Sequence, residues 1–360
     1  MSQENLSNNN RPSYQVRVGI WNDRQAIAVW ETILEASTTG LARHVFTTRL
    51  TSMAAGVPAA WVPAVPIQID HAPYYNLATD TGLALGTNGV AYVVWRDART
   101  GSGDVYFQRT GDHGTTWLAA DVRLNTQSGA GFPHDAIQPS IAASSDTVYV
   151  AWTELRIPTA MPLVPDRYDI YANVSTNAGM NWQAVSTRVE TDGLKHDSYR
   201  PNMVALSTTI GAVVWEDWRS GHPNARATRT TDSGVTWAAQ DYPAEAGGAG
   251  GPGSSTSSNV IAVGAGTSVY VVWQDDRDEP AVGLGGVPHY NIYANFSLDS
   301  GQMYQPQDIR LDTAAIGTDQ ITPAAFTLNN VGHFAWVDRR NTSSTGVVNF
   351  QGDIYYRNLH

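Results

Sequence analysis

The chain has 360 residues, of which 42% are hydrophobic and 10% aromatic, with 33 acidic against 22 basic residues and a net charge of -11 at pH 7. A chain this apolar is not globally disordered, and its acidity excludes a nucleic-acid surface, which needs concentrated Lys and Arg. Cysteine is absent, so disulfides, thiolate metal sites and cysteine nucleophiles are excluded too. Lys195 is the only lysine, a bias that codon usage explains as well as a preference for planar guanidinium contacts does. The first ten residues, Met1 to Asn10, have neither the basic nor the apolar region of a signal peptide, and no apolar run is long enough to span a membrane. Compartment is left open, and an extracellular or particle-associated role fits as well as any.

From the N-terminus onward one phrase returns: an alternating apolar run ending in Trp, then an acidic residue, then Arg. A degenerate copy, Ala26-Ile-Ala-Val-Trp30-Glu31, comes first. It is followed by Ala91-Tyr-Val-Val-Trp95-Arg-Asp97-Ala-Arg99 and Val148-Tyr-Val-Ala-Trp152-Thr-Glu154-Leu-Arg156. Ala212-Val-Val-Trp215-Glu-Asp217-Trp-Arg219, Val269-Tyr-Val-Val-Trp273-Gln-Asp275-Asp-Arg277 and His333-Phe-Ala-Trp336-Val-Asp338-Arg-Arg340 complete the series. A second alternating strand opens at Asp104-Val-Tyr106, Asp169-Ile-Tyr171, Asn291-Ile-Tyr293 and Asp353-Ile-Tyr355. Closing strands follow at Val122-Arg-Leu124, Thr187-Arg-Val189 and Ile309-Arg-Leu311.

Each repeat, about 60 residues long, thus holds four short strands joined by turns, and no segment carries a 3.6-residue apolar period. The expected fold is all-β, a single six-bladed β-propeller of four-stranded antiparallel blades over 12–70, 74–126, 138–191, 200–245, 258–313 and 322–360. The last repeat stops at its third strand. The residues before Pro12 either pair beside that strand or leave the blade three-stranded.

Between the third and fourth strands stand Thr110-Gly-Asp112-His-Gly114-Thr-Thr-Trp117, Ser175-Thr-Asn177-Ala-Gly179-Met-Asn-Trp182, Thr230-Thr-Asp232-Ser-Gly234-Val-Thr-Trp237 and Ser297-Leu-Asp299-Ser-Gly301-Gln-Met-Tyr304. These resemble the Asp-box, or bacterial neuraminidase repeat, of sialidase-like propellers. The resemblance implies that the box lies on the face away from the active site. It makes Asp112, Asn177, Asp232 and Asp299 acceptors for turn N–H groups, the glycines positive-φ residues, and Trp117, Trp182, Trp237 and Tyr304 covers for the turn. It also places the Trp-x-acid-x-Arg phrases toward the ligand side.

The pairs Asp97/Arg99, Glu154/Arg156, Asp217/Arg219, Asp275/Arg277 and Asp338/Arg340 read either as a charged ring or as pins for their own hairpins, with the Asp of the Asp-Ile-Tyr phrase as one partner. Repetition favours structure, because an active site breaks symmetry. The non-repeating connections are more informative. His134-Asp135 and His196-Asp197 precede Pro139 and Pro201, and Asp319 holds the same place before Pro323. With Tyr199 and Arg200 they form the candidate ligand site, able to bind sugar hydroxyls, transfer protons or hold a structural Ca2+; capping of the loop's own turn is the plainer role. No cofactor is required.

Long hairpins at Ile157 to Tyr168, Asp278 to Tyr290 and Asn341 to Gly352 would wall this region, and Gly247 to Ser258 reads as a connection. Sialidases use three arginines, a Tyr nucleophile paired with Glu, and an acidic proton donor. Arg11, Arg200 and the repeat arginines could supply the triad, but spacing assigns no Tyr/Glu pair, and Arg156-Ile157-Pro158 sits in the wrong repeat for that family's Arg-Ile-Pro motif. The first expectation is therefore a non-enzymatic binding module for a glycan or protein surface, on its own or within a larger assembly. The alternative is a sialidase-type exo-glycosidase with Asp135 or Asp197 as acid and Tyr199 as nucleophile.

Overall fold

The computed structural model describes residues 5–7, 11–22, 24–37, 40–51, 60–72, 77–125, 134–156, 167–193, 196–247, 255–278, 289–313, 319–339 and 352–359. Among these every regular element is a strand, and no helix is long and apolar enough to cross a membrane. Arg340, Lys195, Thr318, the Arg-Ile-Pro tail, most of the three long hairpins and most of Gly247 to Ser258 lie outside the described residues.

The strands form six antiparallel sheets. The first contains β1 (Ser13–Asn22), β2 (Gln25–Ser37), β3 (Gly40–Thr51) and β4 (Ala60–Gln68); the second contains β5 (Thr79–Leu85), β6 (Ala91–Asp97), β7 (Asp104–Thr110) and β8 (Val122–Arg123). The third has β9 (His134–Ser144), β10 (Thr147–Arg156), β11 (Tyr168–Ser175) and β12 (Thr187–Arg188), and the fourth β13 (Ser198–Ala205), β14 (Gly211–Asp217), β15 (Asn224–Thr230) and β16 (Tyr242–Pro243). The fifth has β17 (Ser257–Ala265), β18 (Ser268–Asp275), β19 (Asn291–Ser297) and β20 (Ile309–Arg310). The sixth has three strands among the described residues, β21 (Gln320–Leu328), β22 (Val331–Asp338) and β23 (Asp353–Leu359). Leu6 and Ser7 do not extend it; they line a cleft of about 260 Å³ with Ser13, Tyr14, Gln15, Val16 and Trp30. Of the segment expected to close this sheet, residues 1–4 and 8–10 lie outside the described residues. The chain divides into two compact units, Met1–Asp166 with Tyr171–Arg188, and Arg167–Ile170 with Val189–His360.

The repeated Trp sits on the second strand and is the largest buried group of its sheet. Trp95, Trp152, Trp215 and Trp273 have no exposed surface, and Trp30 and Trp336 almost none. By area, burying a ring of this size is worth about 4–6 kcal/mol. The acid two residues on explains why an indole N–H can be buried here: Asp97, Glu154, Asp217 and Asp275 accept it at 3.3, 2.7, 3.3 and 2.9 Å. In the degenerate first repeat Thr32 takes this role for Trp30 at 2.9 Å.

The repeat arginines clamp the hairpin, but their second partner differs from the expected Asp104-type residue. Arg99, Arg219 and Arg277 reach back to Asp97, Asp217 and Asp275. They also reach across to Asp121, Asp241 and Asp308, the residues just before the fourth strands. Arg156 uses Ser186 at the same place, 2.7 Å away. The Tyr of the Asp-Ile-Tyr phrase supplies the floor, with guanidiniums over Tyr106, Tyr171 and Tyr293 at 4.0, 3.7 and 4.3 Å.

Candidate ligand site at the first-strand bulges

Every sheet's first strand carries a bulge, and at each bulge a non-glycine residue has positive φ: Gln15 (49°), Asp80 (58°), Gln138 (54°), Arg200 (51°), Asn259 (52°) and Thr322 (56°). The register breaks there, as between Tyr199 and Asn202 or between Thr79 and Gly82. Left-handed backbone on a non-glycine residue costs roughly 1–3 kcal/mol and tends to persist at functional positions. Bulges also re-aim the side chains around them.

Opposite the residue before each bulge lies the residue that follows the repeated Trp. The facing pairs are Tyr14/Glu31, Thr79/Arg96, Ile137/Thr153, Tyr199/Glu216, Ser258/Gln274 and Ile321/Val337. This is one of two positions inside the repeated phrase whose chemistry does not repeat, the other being that of Ala98, Leu155, Trp218, Asp276 and Arg339. That variability was the available signal for it, and a search for shared residues passes over it.

In the first unit, Glu31 is fully buried and accepts the Thr81 N–H at 3.0 Å, the Thr81 hydroxyl at 2.9 Å and Arg43 at 3.2 Å. Burial raises its carboxyl above the usual range despite these donors. Arg43 also lies 4.6 Å over the Tyr14 ring. Asp80 accepts Gln15 Nε2 and the Gln138 N–H, both at 3.4 Å, so the three bulges of this unit meet at one carboxylate.

The sequence-derived pair His134-Asp135 lies within β9 rather than in a loop before it, and the two side chains part company. His134 Nε2 is 2.9 Å from Asp104, which also takes Arg123 at 2.7 Å. Asp135 accepts Arg96 at 3.0 Å and the Gly103 N–H at 3.1 Å. A Cβ on Gly103 would stand 2.2 Å from this carboxylate, so only glycine fits there.

In the second unit the other candidates gather more closely. Asp197 accepts the Tyr168 N–H at 3.1 Å and Arg167 at 3.4 Å, while the Tyr168 and Tyr199 rings lie 5.3 Å apart. Burial, then Asp197 and Tyr168, push the Tyr199 phenol up, keeping it a hydrogen-bond donor. Arg200, on the bulge, is 51% exposed and meets Glu216 at 3.3 Å. His196 turns away to Asp192 at 3.2 Å. Asp319 takes His289 at 3.2 Å and Arg339 at 3.6 Å. The structure therefore joins Asp197, Tyr199 and Arg200 with Arg167, Tyr168 and Glu216, and leaves His196 out.

At the opposite end of the strands, the hydroxyls of Thr110, Ser175, Thr230 and Ser297 donate to Asp112, Asn177, Asp232 and Asp299 at 2.7, 3.0, 2.8 and 2.6 Å. The same oxygens accept the N–H groups of Gly114, Gly179, Gly234 and Gly301. Trp117, Trp182 and Tyr304 pack on the neighbouring cores.

A second repeated acceptor follows each fourth strand. Asp70, Asn125, Glu245 and Asp312 accept the third-strand N–H groups of Val45, Val105, Ala225 and Ile292 at 2.9, 3.1, 3.2 and 2.7 Å. Sequence reading stopped at the closing strands and missed these residues, although an acid or amide stands two places after the last residue of each fourth strand. Glu190 occupies the same place in the third repeat. Its carboxylate, with those of Asp169 and Asp192, lies within 4.8 Å of the others. Burial and the Asp169 carboxyl raise it strongly, and Ser198 donates to it.

No protein-family model matches the sequence, nor does any curated protein. Solved structures do. A protein of unknown function from Dyadobacter fermentans is similar at 11% identity and TM-score 0.55, over 93% of this chain and 92% of that one. The polysaccharide lyase Uly1 is similar at 10% identity and TM-score 0.54, over 96% and 77%. The Trypanosoma rangeli sialidase is similar at 10% identity and TM-score 0.50, over 92% of this chain but 53% of the enzyme, so the chain spans about half its length. The likeness supports a sialidase-like propeller fold; it does not carry membership of the Asp-box family or any activity.

Proposed function

We propose that this chain is a non-enzymatic propeller module that binds a glycan at the bulge of the fourth repeat. The supporting observation is the half-buried Tyr168/Tyr199 pair beside the exposed Arg200 and the Asp197 and Glu216 carboxylates. Sugar rings present C–H faces that pack on aromatic rings and hydroxyls that pair with fixed polar groups, and this cluster offers both. Glycan-array binding by the chain, lost in Tyr199→Ala and Arg200→Ala at unchanged melting temperature, is the expected result. A blank array for the parent chain would refute the proposal.

A second reading, a sialidase-type exo-glycosidase, rests on the register that sets Tyr199 opposite Glu216 and Tyr14 opposite Glu31. Against it, Glu216 already holds Arg200, and burial raises rather than lowers the Tyr199 phenol. Turnover of fluorogenic sialosides that Tyr199→Phe abolishes would establish this reading and overturn the first.

A further inference from the structure

We infer that Trp218 is the platform of a second sugar subsite, so that the ligand is a neutral glycan of at least two sugar residues. This second subsite rests on the glycan site proposed at Tyr199 and extends it along the fourth sheet. Tyr199 faces Glu216 and Ser198 faces Asp217. One step further toward the hairpin, the Trp218 N–H donates to the Asp197 carbonyl at 3.0 Å. Side chains alternate along a strand, so Asp197, Tyr199, Glu216 and Trp218 share one face of this ladder. Ser198 and Asp217, both without exposed surface, take the other. Asp197 and Trp218 therefore stand two residues, about 7 Å, beyond Tyr199 and Glu216, which is the scale of one sugar ring.

Trp218 is 41% exposed. An exposed aromatic residue means little by itself, and its place in the repeat is what gives it meaning. The residue after the repeated acid is aimed at the residue three before the bulge. In the fifth sheet Asp276 accepts the Thr256 N–H at 2.7 Å. In the sixth, Arg339 donates its N–H to the Asp319 carbonyl at 2.9 Å and brings its guanidinium to the Asp319 carboxylate at 3.6 Å. In the fourth sheet the same place holds an indole beside Asp197. An indole packs on the C–H face of a sugar, and the neighbouring carboxylate accepts its hydroxyls.

The charges beside the platform select the class of sugar. Arg200 Nη1 lies 3.3 Å from both Glu216 oxygens, and Arg167 lies 3.4 Å from Asp197. Each guanidinium already meets a carboxylate, and a carboxylated sugar would have to compete for it. Taking Arg200 would deprive Glu216, whose side chain is only 4% exposed, of that cation, which is costly. A neutral hydroxyl, donor and acceptor at once, adds to such a pair without breaking it.

The test is calorimetric titration of the full chain with glucose, mannose, galactose and xylose, with cellobiose, mannobiose, galactobiose and xylobiose, and with digalacturonate. At least one neutral disaccharide is expected to bind about tenfold or more tightly than its monosaccharide. Trp218→Ala should erase that gain while leaving the affinity for the monosaccharide and the melting temperature unchanged. Trp218→Phe, which keeps a stacking ring, should retain most of it, and digalacturonate should bind more weakly than the preferred disaccharide. Tyr199→Ala should weaken both sugars. A gain that survives Trp218→Ala at full strength, equal affinity for the two sugar lengths, or tighter binding of digalacturonate overturns the second subsite and leaves the Tyr199 site standing. Binding of none of these sugars, or binding indifferent to Tyr199→Ala, overturns both.

Discussion

The two ends of each repeat follow opposite rules. Around the closing turn, backbone and chemistry both recur: hydroxyl to carboxylate, glycine at positive φ, acid or amide onto the third-strand N–H. At the first-strand bulge the backbone recurs and the chemistry does not, running through Gln15, Asp80, Gln138, Arg200, Asn259 and Thr322. Where shape and side chain repeat together the constraint is folding; where shape alone repeats, the side chains are released for other work. This contrast is what supports the proposal at Tyr199 and Arg200 over one at the better-matched motifs.

Four measurements would break or sharpen it. Trp215→Ala removes a fully buried ring and one of the donors to Asp217, which keeps Arg219, so a loss of about 3–5 kcal/mol in denaturant unfolding is expected, against less than about 1 kcal/mol for exposed Arg200→Ala. Similar losses at both positions would erase the distinction. Next comes pH. Burial pushes Glu245 up to about 7. A raised carboxyl binds its proton more tightly in the folded chain, so its contribution is complete below about pH 4.5 and disappears as pH rises to about 7. Glu245→Gln should flatten the stability-versus-pH curve across that window by on the order of 2–3 kcal/mol, read as slope; an unchanged slope would show the group is not held neutral.

Third, Asp312→Ala leaves the buried Ile292 N–H without its acceptor and should cost about 1–3 kcal/mol, more than Asp112→Ala at its largely exposed turn. The reverse order would mean that the turn, not the closing cap, holds the repeat. Smallest is the response to Ca2+. Since Glu190 stands where other repeats carry a cap, added Ca2+ is expected to leave the melting temperature unchanged. A rise that Asp192→Asn removes would instead make Asp169, Glu190 and Asp192 a cation site.

Much of the architecture is legible in the sequence because Trp with its alternating run is a strong period-2 signal, and six copies sort the chain into sheets. The partners of Arg99, Arg219 and Arg277 are not, because Asp121, Asp241 and Asp308 precede two-residue strands too short to show any periodicity. The bulges escaped for a different reason. Pro139, Pro201 and Pro323 mark three of them, but a residue before proline reads as extended backbone, and nothing local marks Asp80 or Asn259 as left-handed. At the candidate site, the phrase before Pro201 suggested Asp197, Tyr199 and Arg200; Glu216 joins them only through strand pairing, and Arg167 and Tyr168 only through the fold's contacts with Asp197 and Tyr199.

The six bulges also make this chain a natural cassette. Residues as different as Asp80, Arg200 and Thr322 already occupy one backbone shape, so each of the six addresses tolerates exchange without rebuilding the strand around it. Glycine there would relax the strain and leave nothing to present. A library randomised at positions 15, 80, 138, 200, 259 and 322 would therefore vary the side chains the bulges present while leaving the repeated tryptophans, clamps and caps unsubstituted.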